Sequence, residues 1–398
     1  MLFDTLIKPI LLYGCSVWAP HLLWFRRLSI NDSRTSRGTL EFIAGTDIEK
    51  FHLKYLKWCL GVHSKTTNTA VWGDFGRHPI LFESVKLAFD YHDRLVTLAE
   101  TDKTRLVVKA FEDQKLLNLG WYQSVTNLKN HYQAPQPNRD LTPYQRQGMS
   151  DSTNAMLNIR LEFQTTWSKC TLKMAKLDFY NTIKSKFQYE PYLDITEPHT
   201  RSSLARLRTS SHRLEVETGR YKKDKVAREE RICKYCFAEH KIRTIDDENH
   251  VLNVCPLYSS ERMTCASRTH VIKTSAAADG MTMLDLDFLE PSNTAAATTI
   301  DSAGTAGTAG THVSDIKLDT CLGLSEKLAK TCTNIRGQPL PSRRSFVIKM
   351  QLSIGRFLTK AFKKHEPFED KRAQKTKKPK TKNQKKMPVN RQLTQSTS

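Results

Sequence analysis

Three cysteines and two histidines stand within 28 residues, "RICKYCFAEHKIRTIDDENHVLNVCPLY", Arg231 to Tyr258. Cys233-x2-Cys236 is the spacing at which two thiolates grip one cation from a tight turn. After thirteen intervening residues comes His250, followed by four residues and Cys255. Three thiolates and one imidazole make a closed tetrahedral donor set suited to structural Zn2+, whereas a catalytic zinc keeps one position open. His240, nearer the Cys pair, is an alternative fourth donor, and Cys265 is an alternative to Cys255. His250 is preferred because His-x4-Cys is the second half of a zinc knuckle, and Val251, Leu252, Val254 and Leu257 around it can form the small core such a module needs. Asp246, Asp247 and Glu248 are hard ligands and are expected to face solvent. The bland alternative is a chance gathering of thiols and imidazoles that needs no metal.

Cations and rings crowd the same neighbourhood: Arg206, Arg208, His212, Arg213, Arg220, Lys222, Lys223, Lys225, Arg228 and Arg231, interleaved with Tyr221, Tyr235 and Phe237. Cations neutralise phosphates and rings stack on unpaired bases, so this set is the candidate nucleic-acid-binding surface, for RNA or single-stranded DNA. A solvated helix face is the competing explanation for part of it; Arg213 and Glu217, four apart, have the spacing of a surface pair. The net charge of +21 and pI of about 9.6 point the same way, toward polyanionic partners, with neither a small-molecule substrate nor a membrane expected. Between Lys371 and Arg391 stand ten Lys or Arg and no acid. That run reads as a nuclear-localisation signal or a non-specific polyanion clamp, which places the protein in the nucleus, with the cytoplasm as the alternative. Cys15, Cys59, Cys170, Cys265, Cys321 and Cys332 are scattered and read as reduced thiols.

The elements that must position these residues read as mainly α. Residues 1–121 form a helical region. Its uncharged stretch, Pro9 to Phe25, is short and proline-interrupted and reads as a core helix, not a membrane span. Residues 31–46 carry turn chemistry and read as an exposed loop. The next helix, capped at Asp47 and stopped at Gly61, repeats Ile48, Phe51, Tyr55, Trp58 and Val62 on one face. Another begins near Pro79. A connector and linker over 122–154 lead to a second helical block with a basic surface, 155–230, and then the knuckle, 231–258. Low-complexity, disordered sequence is expected over 265–342, an amphipathic helix over 343–365 with Phe346, Met350, Ile354, Phe357 and Phe362 on one face, and a largely disordered lysine-rich tail over 366–398. Docking of that amphipathic helix on the body is expected.

Six segments in order, "FDTLIKPILLYGCSVW", "IEKFHLKYLKWCLGVHSKTTNTAVWGDFGRHPI", "LGWYQSVTNLK", "KLDFYNTIKSKFQYEPYL", "LARLRTSSHRLEVETGRY" and "RICKYC…ENHVLNVCPLY", resemble the C-terminal region of reverse transcriptases of animal non-LTR (long interspersed element) retrotransposons. The resemblance covers most of residues 1–260. It implies a thumb-like helical extension followed by a Cys-Cys-His-Cys zinc knuckle, with Cys233, Cys236, His250 and Cys255 as ligands and the element's RNA or target DNA as partner. Residues 19–46 depart from it as an insert.

No Tyr-x-Asp-Asp or Ala-Asp-Asp motif supplies the carboxylates that hold polymerase metals. Glu215 and Glu217 read as helix surface. The expectation is therefore a nucleic-acid-binding fragment without catalysis, lacking palm and endonuclease. A zinc-scaffolded protein-interaction module is the alternative. The sequence sets no oligomeric state.

Overall fold

The computed structural model describes residues 2–24, 33–118, 120–133, 150–222, 224, 226–278 and 341–365. Residues 134–149 of the expected linker, 279–340 of the low-complexity segment, the whole lysine tail, Lys223 and Lys225 lie outside the described residues. The described residues are mostly helical and contain no strand, only isolated bridges Phe75–Tyr189 and Ile232–Ile245.

A π-turn (Phe3–Ile7) leads into α1 (Lys8–Leu11), then α2 (Cys15–Trp24) and α3 (Ser33–Gly45). The expected loop over 31–46 is thus corrected: α3 occupies it and buries Leu40 and Ile43. Likewise Ala19 and Pro20 of the apparent insert are buried in α2. No described helix is long and apolar enough to cross a membrane.

Helix α4 (Asp47–Leu60) ends where Gly61, at φ 63°, takes the left-handed conformation that a side chain disfavours. Its buried face is Leu53, Leu56 and Leu60; of the repeat read from the sequence, Ile48, Tyr55 and Val62 are half-buried against the core, while Phe51 and Trp58 point to solvent. Short α5 (Asn68–Phe75) then crosses to α6 (Ile80–Thr101), followed by α7 (Leu106–Leu116), α8 (Gly120–Gln133) and α9 (Asp151–Leu172). Ser150 caps α9 by accepting from the Thr153 amide. Trp72, Phe82, Phe163 and Phe187 meet edge-to-face between α5, α6 and α9 and form the middle of the apolar core.

Helices α10 (Asp178–Ile183), α11 (Pro198–Arg208) and α12 (Glu215–Thr218) carry the chain to the cysteine-rich segment, where α13 (Lys234–His240) is the only α-helix. Beyond it α14 (Ser259–Ala278) takes up the first part of what composition suggested was low complexity. The last element, α15 (Pro341–His365), docks on the body as expected. It buries Phe346, Met350, Ile354 and Phe357 there, with Phe362 half-buried. A Cβ on Gly355 would stand 2.6 Å from Thr200 and 2.9 Å from Leu204, so this glycine sets how closely α15 approaches α11.

Candidate functional site

Local backbone brings the thiols together. Residue 233 pairs with 244 across the Ile232–Ile245 bridge, its amide donating to Thr244 O at 2.8 Å. Cys233 then stands immediately before α13 and Cys236 in its first turn. From the other side, the Asp247 carboxylate accepts the His250 amide at 2.8 Å and starts the turn of 250–254, which Cys255 closes by donating to His250 O at 2.7 Å. The outcome is a cluster of four buried side chains, Cys233, Cys236, His250 and Cys255, whose donor atoms all lie within 4.8 Å of one another.

The geometry fits a tetrahedral cation. Sγ–Sγ separations are 4.0 Å for Cys233–Cys255 and 3.8 Å for Cys236–Cys255, and Cys236 Sγ stands 3.4 Å from His250 Nε2. A metal with bonds of ~2.3 Å to sulfur sets tetrahedral edges of about 3.8 Å. A hydrogen bond from the Cys255 thiol holds Cys233 far below the usual thiol range, and the same contact, with burial, drives Cys255 far above it. Three neighbouring thiols cannot all ionise unaided; a divalent cation lets them. These four side chains can hold a metal ion. His240 is exposed and Cys265 faces Ser353, so neither alternative donor joins the cluster.

The surrounding acids differ from expectation. Asp246 and Glu248 are buried. The Asp246 carboxylate accepts the Glu215 amide at 2.8 Å, and Glu248 accepts from His212 at 2.8 Å and Ser210 at 3.2 Å. Val254, by contrast, is exposed. Glu215 and Glu217 are buried too: Glu215 takes Lys222 and Lys234, and Glu217 takes Lys176 and Arg220.

The expected basic set divides. Arg208 is fully buried, its guanidinium 3.2 Å from Asp74 and 3.1 Å from Glu190, while Lys184 reaches Glu190 at 2.5 Å and Tyr192 donates to Asp74 at 2.6 Å. Two acids and two bases balance, which makes Arg208 a tie within the core and removes it from any phosphate-binding surface. Arg231 folds back on Val216 O and Val226 O, and Arg228 pairs with Asp178. Arg220 is held by Ala175 O and Glu217, and Lys222 by Glu215. Tyr235 and Phe237 ride on α13, with Tyr235 against the His240 ring. Arg206, Arg213, Tyr221 and His212 do come together, in a cleft of about 630 Å³.

The rest of that cleft comes from distant segments. Gly61 to Thr66, after α4, supply His63 and Lys65; Lys176 enters from the turn before α10; Phe362 and His365 enter from the end of α15. Lys176 donates to the Tyr221 hydroxyl at 3.3 Å and to Glu217, the lining's single carboxylate, at 2.5 Å. The cysteine-rich module braces this wall: Glu248 holds His212, while His365 meets Tyr258 at 2.9 Å and Asp246 at 3.5 Å. No local spacing in the sequence announces Lys65, Lys176, Phe362 or His365.

No family model, curated protein or solved structure matches the chain.

Proposed function

We propose that the chain binds single-stranded nucleic acid, RNA or DNA, in the basic cleft, and that a structural Zn2+ held by Cys233, Cys236, His250 and Cys255 keeps the bracing module folded. The observation that carries the reading is the convergence of Lys65, Lys176, Arg206 and Arg213 with Tyr221 and Phe362 on one cleft, against a single carboxylate. Mobile phosphates gain from such a cluster of cations, and flat rings beside them suit unpaired bases. The soft donor set favours zinc over the hard cations. In this reading the chain acts as the nucleic-acid-holding C-terminal region of a non-LTR retrotransposon reverse transcriptase, performs no chemistry of its own, and works in the nucleus.

The test is retention of labelled single-stranded RNA, single-stranded DNA and duplex across a salt series. Lys65 and Arg213 are both exposed, and far-UV circular dichroism checks that the variant keeps its helices. The double variant Lys65→Glu/Arg213→Glu is expected to lose at least tenfold in affinity at low salt and to flatten the salt dependence by roughly two phosphate contacts. Unchanged binding in that variant contradicts the proposal.

A further inference from the structure

Helix α4 has two apolar faces; the core covers one fully and leaves two large rings of the other in water. Leu53, Leu56 and Leu60 are buried, while on the other side Phe51 and Trp58 stand exposed, with Tyr55 half-buried between them against Phe3 and Val62 half-buried beyond the helix end. Trp58 is 77% exposed and Phe51 46%, a large apolar surface for a helix to leave in water. Cations run beside it: Lys54 is exposed, and Lys57 donates to Ser64 O at 2.7 Å within the loop that forms one lip of the cleft.

The stripe is also continuous with the cleft. Val62, its last member, lines the cleft wall, and Gly61 directs the chain there. Lys57 is close enough to Lys176, which lines the cleft, that burial and that second charge push its pKa down to about 8. From Phe51 to Leu60, where it ends, the helix rises about 14 Å, room for about four nucleotides at stacked spacing. Another exposed apolar stripe, Leu2, Leu6, Ile10, Tyr13 and Val17, differs: its one lysine, Lys8, is tied to Glu83.

We infer that the outer face of α4 is a stacking track that feeds the cleft, with Trp58 and Phe51 under unpaired bases and Lys54 and Lys57 on the flanking phosphates. The preferred ligand is then an extended single strand, longer than the cleft alone would hold. Duplex is disfavoured because its bases offer no free face to the rings. This inference rests on the nucleic-acid reading of the cleft and sharpens it.

The experiment is a length series of oligouridylates, from about 4 to 16 nucleotides, titrated against the full chain by fluorescence anisotropy. Wild type, Trp58→Ala, Phe51→Ala/Trp58→Ala and Lys65→Glu/Arg213→Glu are compared, with far-UV circular dichroism to check that each variant remains helical. Wild-type affinity is expected to rise as strands outgrow the cleft. Trp58→Ala should lose about tenfold on the long strands and little on the shortest, in line with one lost stacking partner. The charge variant should lose affinity at every length. If Trp58→Ala and the double ring variant bind long strands as wild type does while the charge variant fails, the track is refuted and the cleft stands. If the charge variant also binds normally, both are refuted. Equal affinity of wild type for duplex and single strand likewise overturns the track.

Discussion

Between α5, α6 and α9, Trp72, Phe82 and Phe163 bury ring against ring, and Leu53, Leu56, Val85 and Phe89 fill the space around them. Residues 231–258 bury, besides their four metal-site side chains, only Val251, Leu252 and Tyr258 among apolar residues, together with the carboxylates of Asp246 and Glu248. The first region has apolar area enough to hold its shape. The second does not, and its buried acids add a desolvation cost that its few hydrophobes cannot offset. The body is therefore expected to be indifferent to metal, and the module dependent on it.

That contrast is sharpest under substitution of a donor. Cys255→Ser removes one of the four donors of the proposed zinc site, and structural zinc in small modules contributes on the order of 10 kcal/mol. Amide exchange over 231–258 should lose its protection while α6 and α9 keep theirs; uniform loss across both regions would erase the distinction.

The body has its own weak point. Removing Arg208 leaves Asp74 and Glu190 buried with only Lys184 to balance them, which costs about 3–5 kcal/mol. Urea denaturation of Arg208→Ala should show a loss of that size whether or not metal is present. A neutral result would mean that the network contributes little.

A smaller effect comes from Glu162, on α9, whose carboxyl burial pushes up to about 7. Its folded pKa lies above the unfolded value near 4.5, so its contribution is complete below about 4.5 and disappears as pH rises through about 7. Wild type should lose roughly 3 kcal/mol of stability across that window relative to Glu162→Gln. Parallel pH profiles for the two proteins would contradict the assignment.

The mildest effect concerns the cleft. Lys57, lowered to about 8 by burial and by Lys176, loses its proton as pH rises through that value. Single-strand affinity measured by anisotropy should therefore decline between pH 7 and 9, and Lys57→Gln should remove that part of the decline. An unaltered slope in the variant would place Lys57 outside the binding surface.

The same two regions were unequally legible in the sequence. Cys233, Cys236, His250 and Cys255 could be read because a metal site built on one short segment writes its geometry into local spacing. The helix at α4 was equally legible, but not its orientation: Phe51, Tyr55, Trp58 and Val62 repeat as regularly as Leu53, Leu56 and Leu60, and periodicity alone does not say which stripe meets the core. Arg206 and Arg208 held a usable clue. Two residues apart on a helix, they point to opposite sides and cannot share one surface. The destination of Arg208 was nonetheless hidden, because its partner Asp74 lies 134 positions away. The loop expected over 31–46 failed for a related reason. Ser, Thr and Gly signal a turn, yet Leu40 and Ile43 find apolar neighbours that only the folded chain provides.

Metal content and single-strand binding, measured on one preparation before and after chelation, address the central claim together. One zinc per chain is expected, with its removal unlocking residues 231–258 and weakening retention of single-stranded RNA at least tenfold, while the helical body keeps its melting transition. A chain that carries no zinc as purified, or that holds RNA equally well once stripped of it, would contradict the account.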